Sequence, residues 1–231
     1  MNNLILVRHG QSKWNKERRF TGWADIGLTE QGKLEAKIAG KLIKELNIEF
    51  DKYFTSTLKR AIDSLEIILQ VLNKPNVKFA KSEALNERHY GGLTSLNKDE
   101  TIKKYGEEQV KVWRRSYNIK PPPMDSKHPY KKEIKSNITS ESLKDTLERV
   151  IPYYNKNIKP LISLKKNVLI VFHGNSCRSL LKKVFNISNK KIINLEIPTG
   201  NPLLIKFDEN LKIKDCKYLD SKRAKKIFFN I

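Results

Sequence analysis

Two short apolar runs constrain the fold of this chain more than anything else in it. Leu4-Ile5-Leu6-Val7 and Asn167 to Phe172 (NVLIVF) are too short for core helices and rich in branched side chains, and each is followed by a His-Gly pair, at His9-Gly10 and His173-Gly174. An unbroken apolar strand must be covered on both faces, which calls for helices on either side of a sheet. The intervening chain offers them. Residues 28–46 place Leu34, Ile38, Leu42 and Leu46 four apart, as one apolar stripe. Residues 58–72 and 176–185 also carry helical spacing, and 97–116 reads as helix in one or two pieces. Ser142 with Asp145 forms a capping-box pattern that starts a helix running through Val150 and kinked near Pro152. Further strands are expected over 51–56, 77–80, 203–207 and 213–218. Strand alternating with helix gives an α/β fold: a three-layer, mostly parallel sheet flanked by helices. Nothing supports a second core, so residues 1–231 read as a single domain. Within it, 120–139, with Pro121-Pro122-Pro123, Pro129 and many lysines, is a lid-like loop, and 220–231 is a basic tail with no assigned element.

The net charge of +21 comes from 46 Lys and Arg against 25 Asp and Glu. Such a field attracts anions, but most of the excess reads as compositional bias on a solvated surface, so the charge indicates the sign of a ligand and nothing more. No nucleic-acid motif or aromatic-basic platform accompanies it, so no nucleic-acid partner is expected. Cys177 and Cys216 lie far apart with no C-x-x-C, which argues for buried thiols rather than a disulfide or zinc site. The first apolar run is shorter than the ~7–15 residues of a secretory signal core. No stretch approaches the ~20 apolar residues of a membrane span. A cytoplasmic protein without membrane contact is the expectation.

Neighbouring parallel strands would bring His9 and His173 to one edge of the sheet, where ligands bind in open α/β folds. A neutral imidazole near its ordinary pKa of ~6.5 can act as a nucleophile at neutral pH. Phosphoryl transfer through it needs cations around the phosphate oxygens, best supplied by arginine forks, and a carboxylic acid to exchange a proton with the substrate oxygen. Glycine beside the nucleophile would let an anion approach backbone amides. Arg8, Arg60, Glu87 and His173 all lie at expected strand ends or in polar loops. Each has a structural alternative: Glu87 could pair with Arg88, Lys98 could be solvated, Tyr90 could be core, and Arg114-Arg115 could be an exposed pair.

Longer motifs carry a resemblance. LVRHGQSKWN (6–15), FTGWAD (20–25), LKRAI (58–62), LNERHYG (85–91), YGEEQVKVWRRS (105–116), ESLKDT (141–146), HGNS (173–176) and IPTG (197–200) occur in this order. Together they resemble the cofactor-dependent phosphoglycerate mutases of the histidine phosphatase superfamily, over about residues 4–219. The resemblance implies that His9 is phosphorylated and that Glu87 exchanges protons with the substrate hydroxyls. It implies that Arg8, Arg60 and His173 stabilise the transferring group. Asn15, Thr21, Gly22, Arg88, Tyr90, Lys98, Arg114, Arg115, Gly174 and Asn175 would bind substrate. The implied reaction interconverts 3- and 2-phosphoglycerate, primed by 2,3-bisphosphoglycerate and without a metal, with hydrolysis as the competing outcome. The substrate is a small phosphorylated molecule, and a homodimer is expected from a family containing monomers, dimers and tetramers. The segment after Pro123 is shorter and more Lys-rich than the acidic, aromatic stretch usual there.

Overall fold

The structure, a computed structural model, describes residues 2–223; the basic tail lies outside the described residues from position 224 on. Strand β1 (Asn2–Arg8) leads through the one-turn helix α1 (Lys13–Lys16) to α2 (Glu30–Lys44), β2 (Lys52–Thr55) and α3 (Lys59–Val71). The short β3 (Ala80–Lys81) follows, one residue shared with the expected strand over 77–80. Then come α4 (Lys98–Tyr105), α5 (Glu107–Arg115), α6 (Leu143–Tyr153), α7 (Lys159–Ser163), β4 (Val168–Phe172), α8 (Gly174–Val184), α9 (Asn189–Ile192), β5 (Leu203–Phe207) and β6 (Ile213–Tyr218).

The six strands form one sheet in the order β3-β2-β4-β1-β5-β6. The first four in that order run parallel; β5 runs antiparallel to β1, and β6 antiparallel to β5. All five residues of β4 are buried, as expected of a central strand. Alternate side chains serve opposite layers. Leu4, Leu6, Ile170 and Phe172 pack beneath α6 and α8, among Leu143, Val150 and Leu180. Ile5, Val7, Leu169 and Val171 face α2 and α3, among Ala39, Ile43, Leu65 and Ile68. The register sets Arg8 of β1 against Phe172 of β4, and the His9 amide donates to the Phe172 carbonyl at 2.9 Å. Both histidines therefore leave the sheet side by side.

The stripe expected on α2 is corrected. Leu34 is 49% exposed, whereas Gly32, Ala36, Ala39, Gly40 and Ile43 face the core. A Cβ at Gly32 would lie 2.1 Å from the Gln11 carbonyl oxygen, and one at Gly40 would lie 2.8 Å from Val71 Cβ. The helix approaches its neighbours too closely for leucines, so small residues make the contact.

The expected helix over 97–116 divides at Gly106, whose φ of 81° ends α4 and opens α5. The capping box is formed: Asp145 N donates to Ser142 Oγ at 3.2 Å and Ser142 N to Asp145 Oδ2 at 2.8 Å. Past Pro152 the chain makes a π-turn, Tyr154–Ile158, before α7. Helix α8 begins two residues earlier than its spacing suggested, directly after His173. Residues 120–139 contain no helix or strand. Their Met124 and Ile134 are buried with Trp14 and Ala24, against the segment that carries Asn15, Thr21 and Gly22.

Candidate active site

A cleft opens where β1 and β4 end, lined by His9, Arg8, Asn15, Thr21, Gly22, Arg60, Glu87, Tyr90, Lys98, Arg114, Arg115, Gly174 and Asn175. Arg19, Phe20, Arg178, Glu196 and Ile197 complete the lining. Seven cations thus face two carboxylates, so the site favours a polyanion. Two of the sequence-derived residues, His173 and Arg88, are fully buried and stand behind the lining.

His9 Nδ1 lies 2.6 Å from the Gly10 carbonyl. A carbonyl only accepts, so Nδ1 carries the hydrogen and Nε2 keeps its lone pair. Arg60 Nε donates to that nitrogen at 3.3 Å. The rest of the Arg60 fork is tied down: Nη2 donates to the Gly22 carbonyl at 2.7 Å and Nη1 to that of Ala24 at 3.0 Å. The His173 ring centre lies 5.0 Å from that of His9, at 62°, and its Nε2 is 2.7 Å from Ser56 Oγ. Burial, reinforced by Arg60, holds both imidazoles well below the ordinary histidine pKa, so both are neutral at pH 7.

Gly10 works differently from the expectation. Its amide donates to Ser64 Oγ at 3.1 Å, and a Cβ there would lie 2.0 Å from the Gly32 carbonyl oxygen. The glycine admits helix α2 rather than an anion.

Glu87 is buried, and its Oε1 accepts from the amides of Arg88 at 2.8 Å and Asn175 at 3.1 Å. The first turn of α8 thus orients the carboxylate. Asn15 spends its Oδ1 on the Ser12 amide, while the buried Thr21 hydroxyl has no hydrogen-bond partner. Arg8 Nη1 donates to the Ile197 carbonyl at 2.7 Å, and its buried Nε has no partner either.

Beside Glu87, through the shared Asn175, Tyr90 OH accepts from Asn175 Nδ2 at 3.3 Å, and the Arg88 guanidinium lies 4.7 Å from the Tyr90 ring centre. Burial raises the pKa of this phenol, but the cations beside it, Arg88 foremost, bring it down to about 8. Burial, with Arg114 and Arg8 nearby, lowers that of Lys98 to about 8. Arg115 pairs with Glu196 at 2.9 Å. The Arg88 and Arg178 guanidinium groups hold the carbonyls that end α5: Arg88 Nη2 donates to Arg114 O at 2.9 Å and Arg178 Nη2 to Arg115 O at 3.5 Å. Sequence reasoning missed Arg178, which α8 places one turn after His173-Gly174; its Nη1 donates to Asn175 Oδ1 at 2.7 Å. It also missed Arg19 and Phe20, though Phe20 opens the FTGWAD motif and Arg19 directly precedes it.

The sequence profile of the histidine phosphatase superfamily (branch 1) matches residues 4–214. A 2,3-bisphosphoglycerate-dependent phosphoglycerate mutase of Pelagibacter ubique (strain HTCC1062) is 50% identical, over 97% of this chain and 98% of its own. One from Xylella fastidiosa (strain M12) is also 50% identical, over 94% and 90%. Among solved structures, a mycobacterial glucosyl-3-phosphoglycerate phosphatase superimposes with a TM-score of 0.73 at 18% identity, covering 94% of this chain and 97% of that one. The alpha-ribazole phosphatase of Shigella flexneri gives 0.67 at 18%, covering 90% and 92%. The two solved structures establish a common fold; profile and relatives together place this chain in branch 1 of the histidine phosphatase superfamily, in the family of the 2,3-bisphosphoglycerate-dependent phosphoglycerate mutases.

Proposed function

We propose that this chain interconverts 3-phosphoglycerate and 2-phosphoglycerate through a phosphohistidine on His9, primed by 2,3-bisphosphoglycerate. The observation that carries this reading is the unprotonated Nε2 of His9, set by the Nδ1 contact with the Gly10 carbonyl and met by Arg60, inside a cleft lined by seven cations. Arg8 and Arg60 flank the reacting nitrogen, where charge on the equatorial phosphate oxygens would develop. Lys98, Arg114 and Arg115 suit a second phosphate and a carboxylate, which a phosphatase for simple monoesters does not need. Seven cations in one cleft fit a bisphosphate with a third anionic group.

In the priming half-reaction His9 Nε2 forms a bond to phosphorus as the ester P–O bond breaks, and Glu87 gives the departing alkoxide a proton. In the return, Glu87 removes the proton from the acceptor hydroxyl while that oxygen takes the phosphoryl group from Nε2. His173, neutral and directly behind His9, completes the polar surround of the transferring group. No protein-held metal has a role in this scheme, because guanidinium and ammonium groups supply the charge.

The test is conversion of 3-phosphoglycerate with and without added bisphosphate, with free phosphate followed in parallel. Bisphosphate-stimulated conversion with little phosphate release is expected. Phosphate release that keeps pace with substrate loss would make the chain a phosphatase.

A further inference from the structure

Glu87 can exchange protons with substrate only if its backbone is fixed, and the donors that fix it come from a region outside the cleft. Arg149, on the second turn of α6, spreads its guanidinium across the segment that ends in Glu87. Its Nη1 donates to the carbonyls of Ala84 at 2.9 Å and Asn86 at 3.0 Å, and its Nη2 to that of Glu87 at 2.9 Å. The same group is paired in bidentate fashion with Glu141, Nε to Oε1 at 2.7 Å and Nη2 to Oε2 at 2.8 Å. Glu141 in turn grips the other flank. Its Oε2 accepts from His89 N at 2.8 Å, and its own amide donates to the His89 carbonyl at 2.9 Å. Glu141 is 2% exposed, so this ion pair is shielded from water. Glu87-Arg88 is therefore spanned by one two-residue clasp, and neither clasp residue lines the cleft.

We infer that Glu141 and Arg149 are positioning residues for the proton-exchanging carboxylate of Glu87. A planar five-donor fork is suited to this: it holds several carbonyls and a carboxylate at once, which an ammonium on a flexible stem cannot. Fixing a reacting group to within a fraction of an ångström matters because small misplacements carry large rate costs. The ESLKDT motif and Arg149 after it acquire a role that reaches the chemistry through the backbone of residues 84–89.

This inference rests on the acid–base reading of Glu87, and the experiment separates the two. Arg149→Lys keeps the charge opposite Glu141, and so the folded chain, but loses the fork. Its kcat should fall about tenfold or more. KM for 3-phosphoglycerate and inhibition by vanadate, an oxyanion probe of the His9 end, should stay within about twofold of the unaltered protein. Arg149→Met, where it folds, should lose more kcat with the same pattern. Glu87→Gln is run alongside. Normal turnover in Arg149→Lys with a slow Glu87→Gln overturns the clasp alone, whereas normal turnover in Glu87→Gln overturns the acid–base reading beneath it. Parallel loss of kcat and vanadate affinity in Arg149→Lys also overturns the clasp, because it marks general damage to the site.

Discussion

A histidine whose Nδ1 donates to the carbonyl of its own neighbour presents its other nitrogen as a base, and burial keeps His9 in that neutral form. His9→Ala should leave the fold intact and abolish labelling by bisphosphate carrying a labelled phosphoryl group; acid-labile, base-stable label persisting on the variant would refute the nucleophile assignment. Glu87 sits differently, as a buried carboxylate oriented by the amides of Arg88 and Asn175. General acid–base assistance is typically worth about 10²–10⁴-fold. Glu87→Gln should therefore lower kcat by about a hundredfold or more with little change in KM, and steady-state kinetics that show the reverse would assign Glu87 to binding. Legibility varied residue by residue. His9 and His173 could be paired from the sequence because each follows an apolar run. Arg178 could not, since its reach into the cleft depends on how α8 lies against α5.

At the scale of elements, close packing sets the limits. Helix α2 meets the turn after β1 through Gly32 and Gly10, with backbone nearly touching backbone. Gly32→Ala should destabilise the chain by about 1–3 kcal/mol, the usual cost of overpacking. Because the same turn carries His9, activity should fall with stability; urea unfolding followed together with turnover checks both. On α6 the contribution is smaller. Ser142→Ala removes a cap whose loss typically costs about 1 kcal/mol, and chemical denaturation should show that shift. The apolar stripe expected on α2 illustrates why periodicity alone misleads here. Four-residue spacing marks a helix, but which face turns inward depends on how near the neighbouring elements come. Leu34 is left half in solvent because Gly32 and Ala36 admit a closer approach than any leucine.

Across the whole molecule, three buried histidines couple folding to pH. Burial is the largest cause of the lowered pKa at His9, His89 and His173, and for His89 the value falls to about 4. In the unfolded chain each titrates near ~6.5. Below that pH the unfolded state takes up protons the folded state refuses, so stability is complete above about 6.5 and is lost as pH falls toward the folded values. Each histidine withdraws on the order of 1.4 kcal/mol per pH unit in that window. Urea midpoints should hold steady from pH 8 to 7 and drop sharply toward pH 5; a flat profile would mean that these rings are not neutral in the native state.

The sequence by itself determined the layered α/β arrangement, the parallel pairing of the two His-bearing strands and the family. Short apolar runs have few ways to be covered, and motifs tens of residues apart are legible as text. Only the tertiary structure decided which nitrogen of His9 is free, which face of α2 is buried, that Gly10 serves packing, and that Arg149 and Glu141 grip the chain around Glu87. Those outcomes depend on distances between segments remote in sequence, at the scale of a single hydrogen bond, and no local pattern encodes a distance of that kind.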